Sequence, residues 1–403
     1  MAVTPRPGWD PARLAPAEED VVKCVSCGLC LPHCPTFRLT GRETASPRGR
    51  IAAMRAVEEG LAEVDASFTT MMDECLACRA CEAACPSGVP FGRMIEGARA
   101  QAEPTRPAPA RGVRKVALTG LLPRPRLVFA AGWALAVARA LRLDRLAPAA
   151  QRTSTPPASI TELRTPIPAT LGNGPVAKVL SGCVMDVAFR PVQRATMRVV
   201  ADAGYRAERT RAGGCCGALA MHYGQPATAR KLAKQRIREM ESGEVVVVNG
   251  SGCSAHVKTY GELLVGEPGW AERAERVAHM TRDLIELTPP PRDRALGTVA
   301  VHDCCHHLHA QRIEPRAMLR DAGADCVDLG DGGRCCGAAG LYSVLQPEMS
   351  GELRRQKAEA IAATGAPVVA VANSGCAIQI AAGLREIGAD VRVAHPAELL
   401  SPD

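Results

Sequence analysis

The second half of the chain alternates short apolar runs with longer stretches of helical periodicity. Valine-rich runs occur at 176–180, 245–248, 299–301 and 368–371. Continuous β-branched runs of this length, bounded by glycine and turn residues, are typical of parallel strands buried on both faces. We therefore predict an α/β architecture here, with parallel strands inside and helices packed outside.

The same order of motifs occurs twice in this half. Three landmarks share nearly the same offset: the first cysteine after a strand (Cys183 and Cys305, 122 residues), the Cys-Cys pair (215–216 and 335–336, 120 residues) and the last cysteine (Cys253 and Cys376, 123 residues). Offsets this similar indicate an internal duplication. The single cysteines follow the carboxyl ends of predicted strands, where open α/β sheets bind ligands, so the cysteines of one copy can converge.

A helix is predicted near the amino terminus. Ser46 can cap a helix whose first residue is Pro47, and Gly60 can end it. Apolar residues at 51, 54, 57 and 61 recur at helical spacing. This part of the chain is therefore expected to be α-helical.

Residues 102–170 differ from the rest in charge and proline content. They hold 11 basic and 3 acidic residues and 10 of the 31 prolines, and their excess accounts for the net charge of +7. An uncharged segment, 127–138, lies between arginines. One interpretation is a solvated linker with one helix packed on a neighbouring domain. The other is a helix lying on an anionic membrane surface or on a partner subunit.

The composition of the 403 residues is ordinary except for cysteine. Hydrophobic residues make up 47% and charged residues 23%, which excludes wholesale disorder. Aromatic residues make up only 3%, and no recognition module accompanies the arginines, so nucleic-acid binding is not expected. Without a secretory signal or an apolar run of 18 residues, the 18 cysteines are expected to be reduced in the cytosol. Reduced cysteines in tight clusters indicate metal.

Two runs near the amino terminus have the cysteine spacing of iron–sulfur proteins. Residues 24–35 and 75–86 each read C-x₂-C-x₂-C-x₃-C-P, the pattern that binds [4Fe–4S] clusters in two-cluster ferredoxins. Three closely spaced thiolates wrap one face of a cube, and the fourth cysteine begins the next segment and serves the other cluster. The expected ligands are Cys24, Cys27, Cys30 and Cys85 for cluster 1, and Cys34, Cys75, Cys78 and Cys81 for cluster 2. Structural zinc is the alternative, but zinc usually takes two separated pairs of ligands.

The duplicated half resembles the cysteine-rich CCG module, which is found twice in heterodisulfide reductase subunits and in iron–sulfur subunits of flavin dehydrogenases. The resemblance implies metal ligation by the first cysteine, the Cys-Cys pair and a closing C-x-x-C. That closing motif is incomplete here, because His256 and Gln379 stand where the last cysteine is expected. Two candidate sites follow: Cys183, Cys215, Cys216, Cys253 and His256 in copy one, and Cys305, Cys335, Cys336 and Cys376 in copy two. The alternative is that these thiols are buried small residues.

From about residue 20 onwards the chain resembles the family of glycolate oxidase (glycolate dehydrogenase) iron–sulfur subunits. The resemblance rests on both cysteine runs, on Ser-Pro-Arg-Gly-Arg-Ile at 46–51, and on the histidine-rich sequence at 302–311. Cys304 departs from the family, in which proline is typical at that position, and leaves open which adjacent thiol faces a metal. The histidines at 302, 306, 307 and 309 could bind a metal or form a loop that faces a partner, and we assign them neither role.

This resemblance implies electron transfer within a multisubunit dehydrogenase. A separate FAD-binding subunit would oxidise glycolate to glyoxylate, and this chain, not catalytic alone, would relay electrons toward a membrane quinone. It would act in the cytoplasm or at the inner face of the membrane. No Gly-x-Gly-x-x-Gly follows a strand, so FAD is expected on the partner. The alternatives are an iron–sulfur subunit of a lactate or anaerobic glycerol-3-phosphate dehydrogenase, a catalytic subunit of heterodisulfide-reductase type, and an iron sensor.

The expected organisation has four parts. These are an α-helical ferredoxin domain with two [4Fe–4S] clusters at 17–101, a basic proline-rich linker with one apolar helix at 102–170, and CCG modules at 171–293 and 294–403.

Overall fold

The computed structural model describes residues 8–143, 158–288 and 296–401. Within them, a helical amino-terminal region is followed by a connecting segment and by two α/β modules, each built on its own sheet. This confirms the predicted fold class of an α-helical region followed by a duplicated α/β module with parallel strands.

Short helices surround the two cysteine runs. The Ser46 side chain accepts a hydrogen bond from Gly49 N at 2.8 Å and caps helix Pro47–Glu58, as predicted. Gly60 follows in the left-handed conformation with φ 72°. Leu61, which continues the helical apolar spacing, is exposed because the helix has already ended. The helices of this region are Glu18–Val21, Pro35–Thr40, Pro47–Glu58, Ala66–Asp73, Ala80–Ala83 and Phe91–Gln101.

The described residues of the connecting segment form several helices. Its apolar helix, Pro125–Ala140, packs against helix Cys183–Ala188 of the first module. A methyl group on Gly132 would lie 2.2 Å from Val187 Cγ1, so the close approach of the two helices requires glycine. The segment therefore packs on a neighbouring domain, which was the first of the two interpretations. Its other described α-helices are Ala108–Lys115 and Ile160–Arg164, with a 3₁₀-helix at Glu103–Thr105 and a π-helical turn at Val116–Leu121. Residues 144–157 lie outside the described part of the chain.

Each module contains one sheet of short strands. The strands are β1 Thr170–Leu171, β2 Val176–Val179, β3 Arg206–Arg209, β4 Val245–Val248, β5 Thr281–Asp283, β6 Gly297–Val301, β7 Ala324–Val327, β8 Val368–Ala370 and β9 Arg392–Ala394.

The two modules share one strand order. In the first sheet, of order β1-β3-β2-β4-β5, strands β2 to β5 are parallel and β1 is antiparallel to its neighbour β3. In the second sheet, of order β7-β6-β8-β9, all four described strands are parallel. Apart from β1, both sheets place the first strand of the module between its second and third strands, which agrees with a duplication.

Helices cover both faces of each sheet. Alternate residues of β4 enter different cores: Val247 packs in one, and Val246 and Val248 pack in the other. This is the pattern of a strand buried on two sides. The helices of module 1 are Cys183–Ala188, Arg190–Asp202, Ala218–His222, Pro226–Met240, Ser251–Lys258, Tyr260–Leu263 and Ala271–Met280. Those of module 2 are Ala317–Asp321, Tyr342–Leu345, Pro347–Ala363, Ser374–Glu386 and Pro396–Leu400.

The helical region and the modules contact one another close to the cysteine runs. Arg99 Nη1 donates to the carbonyl oxygen of His222 in module 1 at 2.8 Å. Tyr342 Oη of module 2 donates to the carbonyl oxygen of Glu74 at 2.9 Å. The cysteines of all three parts therefore lie near shared interfaces. Among the described helices, none is both long and apolar enough to cross a bilayer.

Candidate metal centres

The first expected ligand set lines one cleft at the surface. Cys24, Cys27, Cys30 and Cys85 all border it, so the fold brings Cys85 across from the second cysteine run. Cys27 is exposed and the other three are half-buried. Three apolar side chains in or next to this loop are exposed. Val25 and Leu29 of the loop are 71% and 56% accessible, and Val22 just before it is 63% accessible. We refer to these three residues as the apolar rim.

The second expected set lies in the interior. Cys34, Cys75 and Cys81 are buried. Burial raises the pKa of the Cys81 thiol well above its usual value, and the nearby thiols of Cys78, Cys75 and Cys34 raise it further. The fold therefore brings Cys34 from the first run to the three cysteines of the second. Four thiolates this close are unfavourable in a low-dielectric interior unless a bound cation compensates their charge, which fits an iron–sulfur cluster.

Both loops have the same unusual backbone at equivalent positions. Ser26 and Gly28 have φ values of 57° and 83°, and their counterparts 51 residues later, Ala77 and Arg79, have values of 52° and 65°. Each non-glycine residue in this region costs about 1–3 kcal/mol, so the surrounding structure must enforce it. In the second loop this turn brings a backbone amide to sulfur, since Ala77 N lies 3.3 Å from Cys75 Sγ. Such donors stabilise thiolate charge.

Two buried arginines lie beside the second loop. Arg50 is 1% exposed and donates to neutral oxygens only among its described partners, which include Met71 O at 2.7 Å and Thr36 Oγ1 at 3.3 Å. The same Thr36 oxygen lies 3.2 Å from Cys34 Sγ. Arg99 is 3% exposed and donates to the carbonyl oxygens of Met72 and Cys75. Positive charge therefore surrounds the buried thiols, although neither arginine was singled out from the sequence.

The four cysteines predicted for module 1 come together at the carboxyl ends of its strands. Cys216 Sγ lies 3.1 Å from Cys253 Sγ. The hydrogen bond with Cys215 and then burial raise the pKa of Cys183 well above its usual value. None of the 18 cysteines forms a disulfide bond. His256 borders this group, and burial and then the nearby His222 lower its pKa to about 4.

His256 belongs to a buried group of imidazoles at the junction of the domains. The rings of His222 and His256 are 6.3 Å apart, and His306 stacks on His222 at 5.6 Å. His222 Nδ1 lies 2.6 Å from a carboxylate oxygen of Glu96 in the helical region. Burial alone would raise the pKa of Glu96, but the hydrogen bond and charge of His222 lower it overall. Among the described residues His256 Nε2 has no hydrogen-bond partner.

The cysteines predicted for module 2 form a chain of contacts. Cys335 contacts both Cys305 and Cys336, and Cys336 contacts Cys376. Two residues without an assigned role, His302 and Cys304, join the group at its Cys376 end. Cys305 faces the other way, toward Cys78 of the second ferredoxin-type loop. The adjacent thiols of Cys304 and Cys305 thus point to different neighbours.

The other histidines after β6 have separate environments. His307 Nε2 lies 2.8 Å from a carboxylate oxygen of Asp283 in a fully buried pair. Burial alone would lower the pKa of His307, but the Asp283 carboxylate raises it overall. His309 borders a cleft between module 2 and the helical region. The structure therefore divides the histidine-rich sequence among several contacts.

Comparison with known proteins gives matches along most of the chain. Residues 20–89 match the 4Fe-4S dicluster domain, and residues 177–258 and 299–381 match the cysteine-rich domain. The probable glycolate oxidase iron-sulfur subunit of Bacillus subtilis (strain 168) is 35% identical over 419 aligned positions, covering 95% of this chain and 94% of that protein. The glycolate oxidase iron-sulfur subunit of Escherichia coli (strain K12) is 31% identical, with 93% of each chain covered. Lactate utilization protein A of Oceanobacillus iheyensis is 28% identical and covers 54% of this chain and 93% of its own length.

Proposed function

The chain belongs to the family of glycolate oxidase iron–sulfur subunits, and on that premise we propose that it carries electrons away from a flavin-bearing partner that oxidises glycolate. It is an iron–sulfur component of an oxidoreductase. The observation that carries the proposal is the presence of two complete four-thiol groups, each completed by a cysteine from the other run.

Glycolate is favoured over lactate by the extent of the similarity. The two glycolate oxidase relatives cover 93–95% of this chain, whereas the lactate relative covers 54%. The alternative is the corresponding subunit of a lactate or anaerobic glycerol-3-phosphate dehydrogenase. The acid itself would be bound by the partner, so we assign no residue of this chain to substrate contact.

The proposed ligands are those expected from the sequence. Cys24, Cys27, Cys30 and Cys85 would hold cluster 1, and Cys34, Cys75, Cys78 and Cys81 would hold cluster 2, within a domain at 17–101. When bound, each [4Fe–4S] cluster supplies a one-electron acceptor whose potential depends on burial and on hydrogen bonds to sulfur. The chain contributes the amide donors of the two loops and the buried guanidinium groups near the second.

The two thiol groups are suited to different neighbours. The first lies at the surface beside the apolar rim, which we propose as the contact for the FAD-binding subunit. The second lies under module 2, with Cys78 facing Cys305. The modules at 171–293 and 294–403 would then act as scaffold and docking surface.

The acceptor beyond this chain is proposed to be a membrane quinone. Helix Pro125–Ala140, within the segment 102–170, buries one side against module 1 and exposes Leu127 and Val137 on the other. An apolar face flanked by arginines suits an anionic bilayer surface. We propose that the chain acts in the cytoplasm and that this helix attaches it peripherally to the inner face of the membrane.

Anaerobic purification tests the cluster content. The relay predicts about eight irons and about eight sulfides per chain, with paramagnetic signals after reduction by dithionite. A colourless protein that holds zinc in both ferredoxin-type loops would contradict it. About twelve irons would place a further cluster on the four thiols of module 1 and favour the heterodisulfide-reductase type of catalysis.

A cysteine substitution tests the relay within the complex. Cys78→Ser in the assembled dehydrogenase should abolish glycolate-dependent dye reduction but leave bleaching of the flavin by glycolate intact. Cys326→Ser is the matched control, because Cys326 is a half-buried thiol in β7, and it should retain both activities. Loss of flavin bleaching in Cys78→Ser would contradict a role confined to electron transfer.

A further inference from the structure

A compact set of metal-binding side chains lies at the carboxyl edge of the module 2 sheet, separate from the ferredoxin-type loops. One ligand atom from each of His302, Cys336 and Cys376 lies within 4.8 Å of the other two. The thiol of Cys304 is in hydrogen-bonding contact with that of Cys376. We propose that these four side chains bind one zinc ion as a closed Cys₃His centre.

The distances fit a site that needs little rearrangement. Tetrahedral zinc with bonds of about 2.3 Å to sulfur and 2.0–2.1 Å to nitrogen separates its ligand atoms by roughly 3.5–3.8 Å. The ligand atoms of His302, Cys336 and Cys376 exceed this spacing by at most about 1.3 Å, which rotation of the side chains can close. Cys304, which contacts Cys376, would have to rotate into the fourth position. The ligand set also matches the chemistry, because three thiolates and one imidazole form a common structural zinc site.

Two of the four ligands are held by regular structure at one edge of the sheet. His302 directly follows β6, and its backbone N–H donates to Ala370 O of β8 at 3.0 Å. Cys376 lies in the first turn of helix Ser374–Glu386, which the Asn373 side chain caps by accepting from Cys376 N. The site is therefore anchored at the ends of two adjacent strands, and Cys304 and Cys336 join it from the loops after β6 and β7.

The imidazole of His302 lacks partners that would explain its burial. The residue is 2% exposed, and neither ring nitrogen makes a well-formed hydrogen bond to any described residue. Buried polar atoms in native proteins are almost always satisfied. A metal ion bound between this ring and the facing thiols would satisfy the nitrogen that points at it.

The proposed centre differs from the ligand set that the duplication predicts. In module 1 the positions that correspond to His302 and Cys304, at an offset of 122, are Leu180 and Gly182, so only module 2 can form it. Cys305, the counterpart of Cys183, turns toward Cys78 and is not part of the set. The inference is therefore independent of the two clusters proposed above.

Metal analysis of the full chain tests the proposal. Protein produced in zinc-supplemented medium should contain about one zinc per chain in addition to its iron. Cys304→Ser should lower the zinc content at least tenfold without changing the iron content. Cys305→Ser is the matched control on the neighbouring residue and should keep the zinc. The iron content in the same samples reports separately on the ferredoxin-type clusters.

Cobalt substitution provides a second measurement that does not depend on the folding of a variant. Wild-type protein loaded with Co²⁺ should show the thiolate charge-transfer and tetrahedral d–d absorption of a three-sulfur, one-nitrogen site. His302→Gln should change those bands. Less than a tenth of a zinc per wild-type chain together with no cobalt spectrum would overturn the proposal, as would equal loss of zinc from Cys304→Ser and Cys305→Ser.

Discussion

Replacement of Arg50 by glutamine should make cluster 2 harder to reduce. The guanidinium is buried and donates to Thr36 Oγ1 at 3.3 Å, and that oxygen lies 3.2 Å from Cys34 Sγ. The positive charge is therefore within about 6.5 Å of a proposed ligand of cluster 2. An added electron is stabilised by a nearby cation, so removal of the cation should lower the reduction potential.

The magnitude follows from the distance. At 6.5 Å and an effective dielectric constant of about 20, two unit charges interact with about 2.5 kcal/mol. For a one-electron couple this corresponds to on the order of 100 mV, and the delocalisation of the electron over the cluster reduces it to roughly 50–100 mV. The carbonyl oxygens of Ala45 and Met71 also lose donors, which should destabilise the helical region by about 2–4 kcal/mol.

A redox titration followed by electron paramagnetic resonance checks the expected shift. One of the two one-electron waves of Arg50→Gln should move to lower potential, and the other should stay in place. Arg55→Gln is the matched control in the same helix, because Arg55 donates instead to the carbonyl oxygens of Val21 and Cys24, beside the first loop. The reasoning fails if both waves are unchanged, if either rises, or if the two variants move the same wave.

Two further predictions concern stability. His395 donates from Nε2 to Asn249 O at 2.9 Å, and burial lowers its pKa to about 4, so the folded state excludes a proton that the unfolded chain binds below about 6.5. The free energy of unfolding that His395 contributes should therefore be fully present above pH 6.5 and should fall by up to about 3 kcal/mol as the pH drops to 4. The pH dependence of the unfolding free energy, measured by urea denaturation, should be flatter in His395→Gln. Gly224→Ala should cost roughly 2–4 kcal/mol, measured by thermal unfolding, because φ is 78° and a Cβ would lie 2.5 Å from the Arg99 backbone. Gly204→Ala, with φ 88° and open space around it, should cost only about 1 kcal/mol.

Two results would contradict these predictions. An equal pH dependence in wild type and His395→Gln would mean that the neutral imidazole does not control acid stability. Equal losses in Gly224→Ala and Gly204→Ala would mean that backbone strain alone, rather than the contact between the helical region and module 1, sets the cost.

The regular parts of the fold could be predicted because they repeat. Continuous valine-rich runs, without alternation of polar residues, predicted the buried strands. The helix Pro47–Glu58 was predicted from its capping serine and its helical apolar pattern. The position of Cys85 at the first loop and of Cys34 near Cys81 agrees with the spacing, from which the exchange of these two cysteines between the proposed clusters stays a prediction. Local chemistry was sufficient for these features.

The features that were missed depend on contacts between distant residues. Arg50 and Arg99 look like surface charges in the sequence, yet tertiary packing buries both. The contact between His222 and Glu96 joins residues 126 positions apart, which no local pattern indicates. The divergence of Cys304 and Cys305 depends on the path of the backbone after β6, so two adjacent cysteines could not be assigned to separate neighbours beforehand.

The enclosure of the second cysteine loop beneath module 2 has a consequence for biogenesis. The Tyr342 hydroxyl and the Cys305 thiol lie over residues 74–78, so docking of module 2 narrows the approach to this loop to the cleft that Cys78 lines between module 2 and the helical region. Assembly of the proposed cluster 2 should therefore be slower after the modules have docked than before, whereas the cleft around Cys27 stays open at the surface. Oxygen should accordingly degrade the proposed cluster 1 faster than the proposed cluster 2.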